Sequence, residues 1–177
     1  MKRQDYLDWD TTFMGIAAII SFRSKDPSTR HGAVIVDQNN RVLSLGYNGF
    51  ARGVSDDIFP WTSPEKYDYS VHAERNAIDN SNTTNLTGCR IYLWSERGYL
   101  PCSQCAAGLI QKGIEEIIIA SKISENTKTY NWEPTKKMFE AVGLKVRILE
   151  EPFTSINNIV NEFKNAAETL VKIKGAV

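Results

Sequence analysis

From Val71 to Leu149 the apolar pattern alternates three times between the 3.6-residue period of a helix and the short continuous run of a buried strand. Helices are expected over Val71–Ser81, Cys102–Lys112 and Pro134–Val142, with Gly113 and Gly143 as left-handed stops of the latter two. Strands follow each of them at Cys89–Trp94, Ile117–Ala120 and Leu144–Leu149. Strands joined by helical crossovers, with no polar alternation, belong in a parallel sheet buried on both faces. Such a chain places its chemistry at helix N-termini and loops along one edge of the sheet.

The N-terminal part adds a different unit. Tyr6, Trp9, Phe13, Ile16, Ala17 and Ile20 form the buried stripe of a helix that ends before Asp26-Pro27. Ala33–Val36 and Arg41–Leu45 flank Asp37-Gln38-Asn39-Asn40, residue types suited to a tight turn, and read as a hairpin. Gly46–Tyr69 has little periodicity and reads as a long ordered loop with a short helical piece. A last amphipathic helix spans Ser155–Lys174, either completing a layer or packing between subunits. The sum is an α/β fold with a mixed five-stranded sheet covered by helices on both faces. At 177 residues one domain over 1–177 is expected, with a core about 6–149 and the C-terminal helix about 155–174.

Charge and composition narrow the partners. Lys plus Arg and Asp plus Glu are each 21, so the basic footprint of a general nucleic-acid binder is missing. No apolar run approaches the ~20 residues of a membrane span, and Met1-Lys2-Arg3-Gln4-Asp5 has no signal core behind it, so a cytoplasmic protein is expected. Three cysteines make a poor disulfide framework and a better metal inventory.

Two of those cysteines carry the chemistry. His72-Ala73-Glu74 opens the second helix and Pro101-Cys102-Ser103-Gln104-Cys105 opens the third. A helix N-terminus stabilises thiolates, and the three-residue step from Cys102 to Cys105 puts both sulfurs on one face. One imidazole and two thiolates suit zinc, and three protein ligands leave one position open to water, which zinc makes acidic enough to act as a nucleophile near neutral pH. Glu74, two residues past His72, is placed to take that water's proton and deliver it to a ring nitrogen and a leaving amine. H-x-E with P-C-x-x-C is the signature of zinc nucleobase deaminases. A lone C-x-x-C is equally often half of a closed structural zinc site; its further partners would have to be His31 or Cys89, which read more simply as core or edge residues.

His-Ala-Glu-Arg-Asn-Ala-Ile at 72–78 and Pro-Cys-Ser-Gln-Cys-Ala at 101–106 resemble the cytidine deaminase superfamily. Arg23-Ser24-Lys25-Asp26-Pro27, Gly32-Ala33-Val34-Ile35-Val36, Gly46-Tyr47-Asn48-Gly49-Phe50 and Ser55–Trp61 narrow the resemblance to the deoxycytidylate (dCMP) deaminases, over about Arg23–Gly143. The resemblance implies a three-layer α/β/α sandwich, zinc on His72, Cys102 and Cys105, proton transfer by Glu74, and hydrolysis of dCMP to dUMP and ammonia, feeding dTMP synthesis. It also implies a homo-oligomer, commonly a hexamer, and control by dCTP and dTTP with Mg2+. Asn48 is similar to the asparagine that contacts the substrate sugar. The Arg-Ser-Lys-Asp-Pro loop borders the nucleotide site, where Ser24 and Lys25 are candidates for the 5′-phosphate, against a solvated Lys25 and a Ser24 that caps its own turn. Tyr130 and Trp132 are candidates for stacking on the base, against packing on the core.

The sequence departs from that pattern at Ala51, where a proline is usual, in the longer Ser95–Leu100 segment beside the zinc motif, and in the polar stretch 123–132. These departures keep other substrates open: dCTP, deoxycytidine or a purine such as dGMP. Editing of a base in tRNA or single-stranded DNA would need a basic channel that the neutral composition does not offer. A non-catalytic zinc module that binds nucleotides would have no use for Glu74.

Overall fold

The structure is a computed structural model, and it describes residues 1–95, 98–120, 131–149, 158, 160–166 and 169. A five-stranded sheet has the order β2-β1-β5-β6-β7. Its antiparallel half is the hairpin β1 (His31–Val36) and β2 (Val42–Tyr47), with β1 also antiparallel to β5 (Arg90–Ser95). Its parallel half runs from β5 through β6 (Glu116–Ala120) to β7 (Lys145–Leu149). The expected mixed sheet is therefore present, with the crossovers made by α3 (Ser103–Gln111) and α4 (Glu133–Val142).

Side chains of β1, β5 and β6 fill two cores, one per face, which explains their continuous apolar runs. Ile35, Ile91, Leu93, Ile117 and Ile119 point to the face covered by α2 (Ala73–Asn80), α3 and α4, which supply Ala77, Ala106, Leu109 and Phe139. Val34, Tyr92, Trp94 and Ile118 point to the opposite face, where α1 (Trp9–Ser21) supplies Phe13, Met14, Ala17 and Ala18. Residues 158, 160–166 and 169 are helical, and Val160 joins this second core while the Phe163 ring meets Phe22. These C-terminal residues complete the α1 layer, giving three layers.

Two glycines set how closely helices approach the hairpin. A Cβ on Gly32 would lie 1.8 Å from the Ala17 carbonyl oxygen of α1, and one on Gly46 would lie 2.2 Å from the Ala73 oxygen of α2. Ser44 tightens the second contact by donating its hydroxyl to the Ala77 oxygen at 2.7 Å. The helix that begins with the His-Ala-Glu motif is thus seated directly on the sheet.

Some expectations need correction. The first helix starts at Trp9, where Asp8 accepts from the Thr11 N–H at 2.8 Å as its N-cap; Tyr6 precedes it and Trp9 is 56% exposed, so neither belongs to the buried stripe. The long loop carries the expected short helical piece, a 3-10 turn at Glu65–Asp68. It also carries an unexpected ribbon, β3 (Gly49–Phe50) paired antiparallel with β4 (Ser70–Val71). That ribbon feeds straight into His72.

Candidate active site

His72 is the N-cap residue of α2 and Cys102 that of α3, and neither uses its side chain to cap its own helix. Both side chains therefore meet across the gap between the helices. Thr135 of α4 holds the second of these starts by donating to the Pro101 oxygen at 3.0 Å. Cys102 Sγ lies 3.5 Å and Cys105 Sγ 3.6 Å from His72 Nδ1. The three ligand atoms are all within 4.8 Å of one another. Zn–N near 2.05 Å and Zn–S near 2.3 Å at a tetrahedral angle put nitrogen and sulfur about 3.6 Å apart, so spacing and donor chemistry both fit zinc. No fourth His, Cys, Asp or Glu joins this group among the described residues. Cys89 is buried in the core as expected and takes no part.

The electrostatics follow from crowding. Hydrogen bonding with Cys105, and then with His72, draws the Cys102 thiol far below its usual range, while hydrogen bonding with Cys102 and burial drive the Cys105 thiol up. The hydrogen bond to Cys102 raises His72 against the opposing effect of burial. Burial raises the Glu74 carboxyl, only partly offset by the nearby imidazole and by its own backbone N–H. A divalent cation here would take both sulfurs as thiolates and release their proton.

His72, Glu74 and Cys102 line a cavity of about 550 Å³, within the ordinary range for a small-molecule site. Asn48 lines it too, and its side chain ties two loops together: Oδ1 accepts from the His31 N–H at 2.8 Å and Nδ2 donates to the Thr29 oxygen at 3.0 Å. Ser24 and Lys25 do not line the cavity. Ser24 accepts the Asp26 N–H at 3.2 Å, and the Lys25 ammonium is paired with Asp56. Tyr130 lies outside the described residues. Trp132 is both buried in the core and part of the cavity wall.

Several lining residues were not anticipated. His31, expected to be an ordinary core or edge residue, faces the cavity with its ring 5.5 Å from that of Tyr99, which in turn meets Trp132 edge-on at 5.9 Å. Tyr99 comes from the segment beside the zinc motif that departs from the family pattern. On another side, Lys66 and Asp26 line the cavity as a buried ion pair.

A family model described as the cytidine and deoxycytidylate deaminase zinc-binding region matches residues 7–121. The chain belongs to this family. The deoxycytidylate deaminase of Homo sapiens is 44% identical over 126 residues, 68% of each chain. That of Mus musculus is 38% identical over 162 residues, covering 88% of this chain and 87% of its own. A solved structure of the cyanophage S-TIM5 dCMP deaminase shares the fold, with a TM-score of 0.59 at 20% identity, over 84% of this chain and all of its own. The matched region contains the His72, Glu74, Cys102 and Cys105 cluster and ends with β6.

Proposed function

We propose that this protein is a zinc-dependent deoxycytidylate deaminase that hydrolyses dCMP to dUMP and ammonia. The observation that carries the reading is a His/Cys/Cys group with tetrahedral-zinc spacing, beside a carboxyl raised by burial, at one side of a nucleotide-sized cavity. The family match and the named relatives support the substrate class.

In this reading His72, Cys102 and Cys105 hold zinc, whose Lewis acidity makes a water nucleophilic near neutral pH. Glu74 takes the proton of that water, gives it to N3 of the cytosine ring, and delivers the next proton to the departing 4-amino group. A raised carboxyl suits both tasks, because it must accept a proton and also return it. Asn48 offers the sugar the second N–H of its amide and the second lone pair of its oxygen, having committed one of each to the loops. Tyr99, His31 and Trp132 form an aromatic side of the cavity against which a flat base can lie. A homo-oligomer, dCTP and dTTP control with magnesium, and a cytoplasmic setting belong to the same proposal and rest on the family resemblance.

Ammonia release by the zinc-loaded protein from dCMP, dCTP, deoxycytidine and dGMP tests the reading. Turnover of dCMP well above the other three is expected. Preference for deoxycytidine, dCTP or dGMP would replace the substrate, and nucleotide binding without ammonia release would leave a zinc module without catalysis.

A further inference from the structure

We propose that Lys66, held by Asp26, is the cation that recognises the 5′-phosphate of the nucleotide; this rests on the function proposed above. The Lys66 ammonium lies 2.8 Å from both Asp26 carboxylate oxygens, with the two side chains only 4% and 7% exposed. Lysine is almost never buried so fully unless paired, and a buried pair returns little net stability after its desolvation cost. Here the pair stands on the wall of a ligand cavity.

The charge balance of that wall points to an anion. Among the described lining residues, Lys66 is the one lysine or arginine. A phosphate entering the cavity meets that ammonium there. Asp26 does not cancel Lys66 alone, because Oδ1 also accepts the Ser28 N–H at 2.8 Å and the Thr29 N–H at 3.3 Å. An ammonium has three donors and Asp26 engages two oxygens' worth of them. Among the described residues, the other partner of the Lys66 ammonium is the Tyr67 ring, 5.5 Å from Nζ to its centre. One donor therefore remains for a ligand oxygen, in a desolvated setting where a charge-assisted hydrogen bond is strong.

The position follows from connectivity. Asn48 donates to the Thr29 oxygen, the Thr29 N–H donates to Asp26, and Asp26 receives Lys66. This hydrogen-bonded strip places the sugar contact and the ammonium on the same wall, with Ser28, Ser63 and Ser70 also lining the cavity. Lys25, by contrast, has a side chain 62% exposed and spends its charge on Asp56.

The test compares wild type, Lys66→Met, Lys25→Met and the double variant Asp26→Asn/Lys66→Met as zinc-loaded proteins, on dCMP and deoxycytidine. The double variant strands no carboxylate, so it keeps the comparison readable should Lys66→Met alone fail to fold. Calorimetric binding of dCMP, dUMP and their nucleosides is read on the same samples. Loss of Lys66 should raise the KM and Kd for dCMP and dUMP by on the order of 30-fold or more. Values for the nucleosides should stay within about 2-fold, since nothing in them meets the ammonium. Equal losses on nucleotide and nucleoside, unchanged dCMP affinity in the double variant, or a loss found in Lys25→Met instead would overturn the assignment. A wild type that binds dCMP through Lys66 but releases no ammonia would end the deaminase reading and leave this one standing.

Discussion

The two walls of the cavity are built in opposite ways. On one, His72, Glu74 and Cys102, with Cys105 beside them, sit within a few residues of two helix starts, and backbone geometry alone brings each pair into register. On the other, Asp26, Thr29, Asn48 and Lys66 come from three loops and meet only through side-chain hydrogen bonds across as many as forty positions of sequence. The reacting end is fixed by local structure, and the recognition end by tertiary structure. Changes to the first should therefore stop chemistry while the fold survives, and changes to the second should affect affinity and stability together.

Replacing a metal-binding thiol tests the first wall hardest. Cys105→Ala should lose zinc and about 1000-fold or more in turnover, read by metal analysis and ammonia release, because two ligands do not hold a catalytic zinc. Retention of zinc and activity would show that the helix starts do not form the metal centre. Asp26→Asn breaks the second wall: it strands a buried ammonium and should lower unfolding stability by about 3 kcal/mol in urea titration, along with dCMP affinity. An effect on affinity alone would mean that the two loops hold without the ion pair.

The hinge between the walls is the packing of α2 on β2. Gly46→Ala would push a methyl against the Ala73 oxygen and the Ala77 nitrogen, which a Cβ would meet at 2.2 and 2.4 Å. It should cost about 1–3 kcal/mol and reduce turnover by moving His72 and Glu74, with less change in dCMP affinity. Far from both walls, Asp10 is held below the ordinary carboxylate range, first by the Arg147 guanidinium, against the opposing effect of partial burial. Such a carboxyl adds stability that is fully present above its unfolded pKa near 4 and is lost as pH falls through the lower folded value. Arg147→Met should remove part of the stability difference between pH 7 and pH 3, by no more than about 1 kcal/mol because the pair is partly exposed. It should leave turnover unchanged.

The same contrast governs what the sequence makes legible. Helix periodicity and apolar runs announce the parallel half of the sheet, and the H-x-E and P-C-x-x-C spacings announce the zinc wall, because those signals act over less than two turns of chain. Lys66 sits in Ser63-Pro64-Glu65-Lys66, which reads as a solvated loop; only its distant partner Asp26 makes it a buried residue. His31 looks like an edge residue until its strand pairs with β5 and brings it beside Tyr99. The β3–β4 ribbon has two residues per strand, too few to show a period. Helix one misleads at its start because Tyr6, which precedes the Asp8 cap, and Trp9, the exposed first residue after it, both continue the apolar spacing.

The most direct measurement is dUMP formation from dCMP by the zinc-loaded wild type beside Glu74→Gln, with zinc content and dCMP affinity measured on the same samples. The amide keeps the shape of the carboxyl and removes its proton transfer. Wild type should form dUMP, and Glu74→Gln should keep its zinc and bind dCMP while turnover falls roughly 1000-fold. No dUMP from the wild type, or turnover within a few-fold of it in Glu74→Gln, would contradict the account.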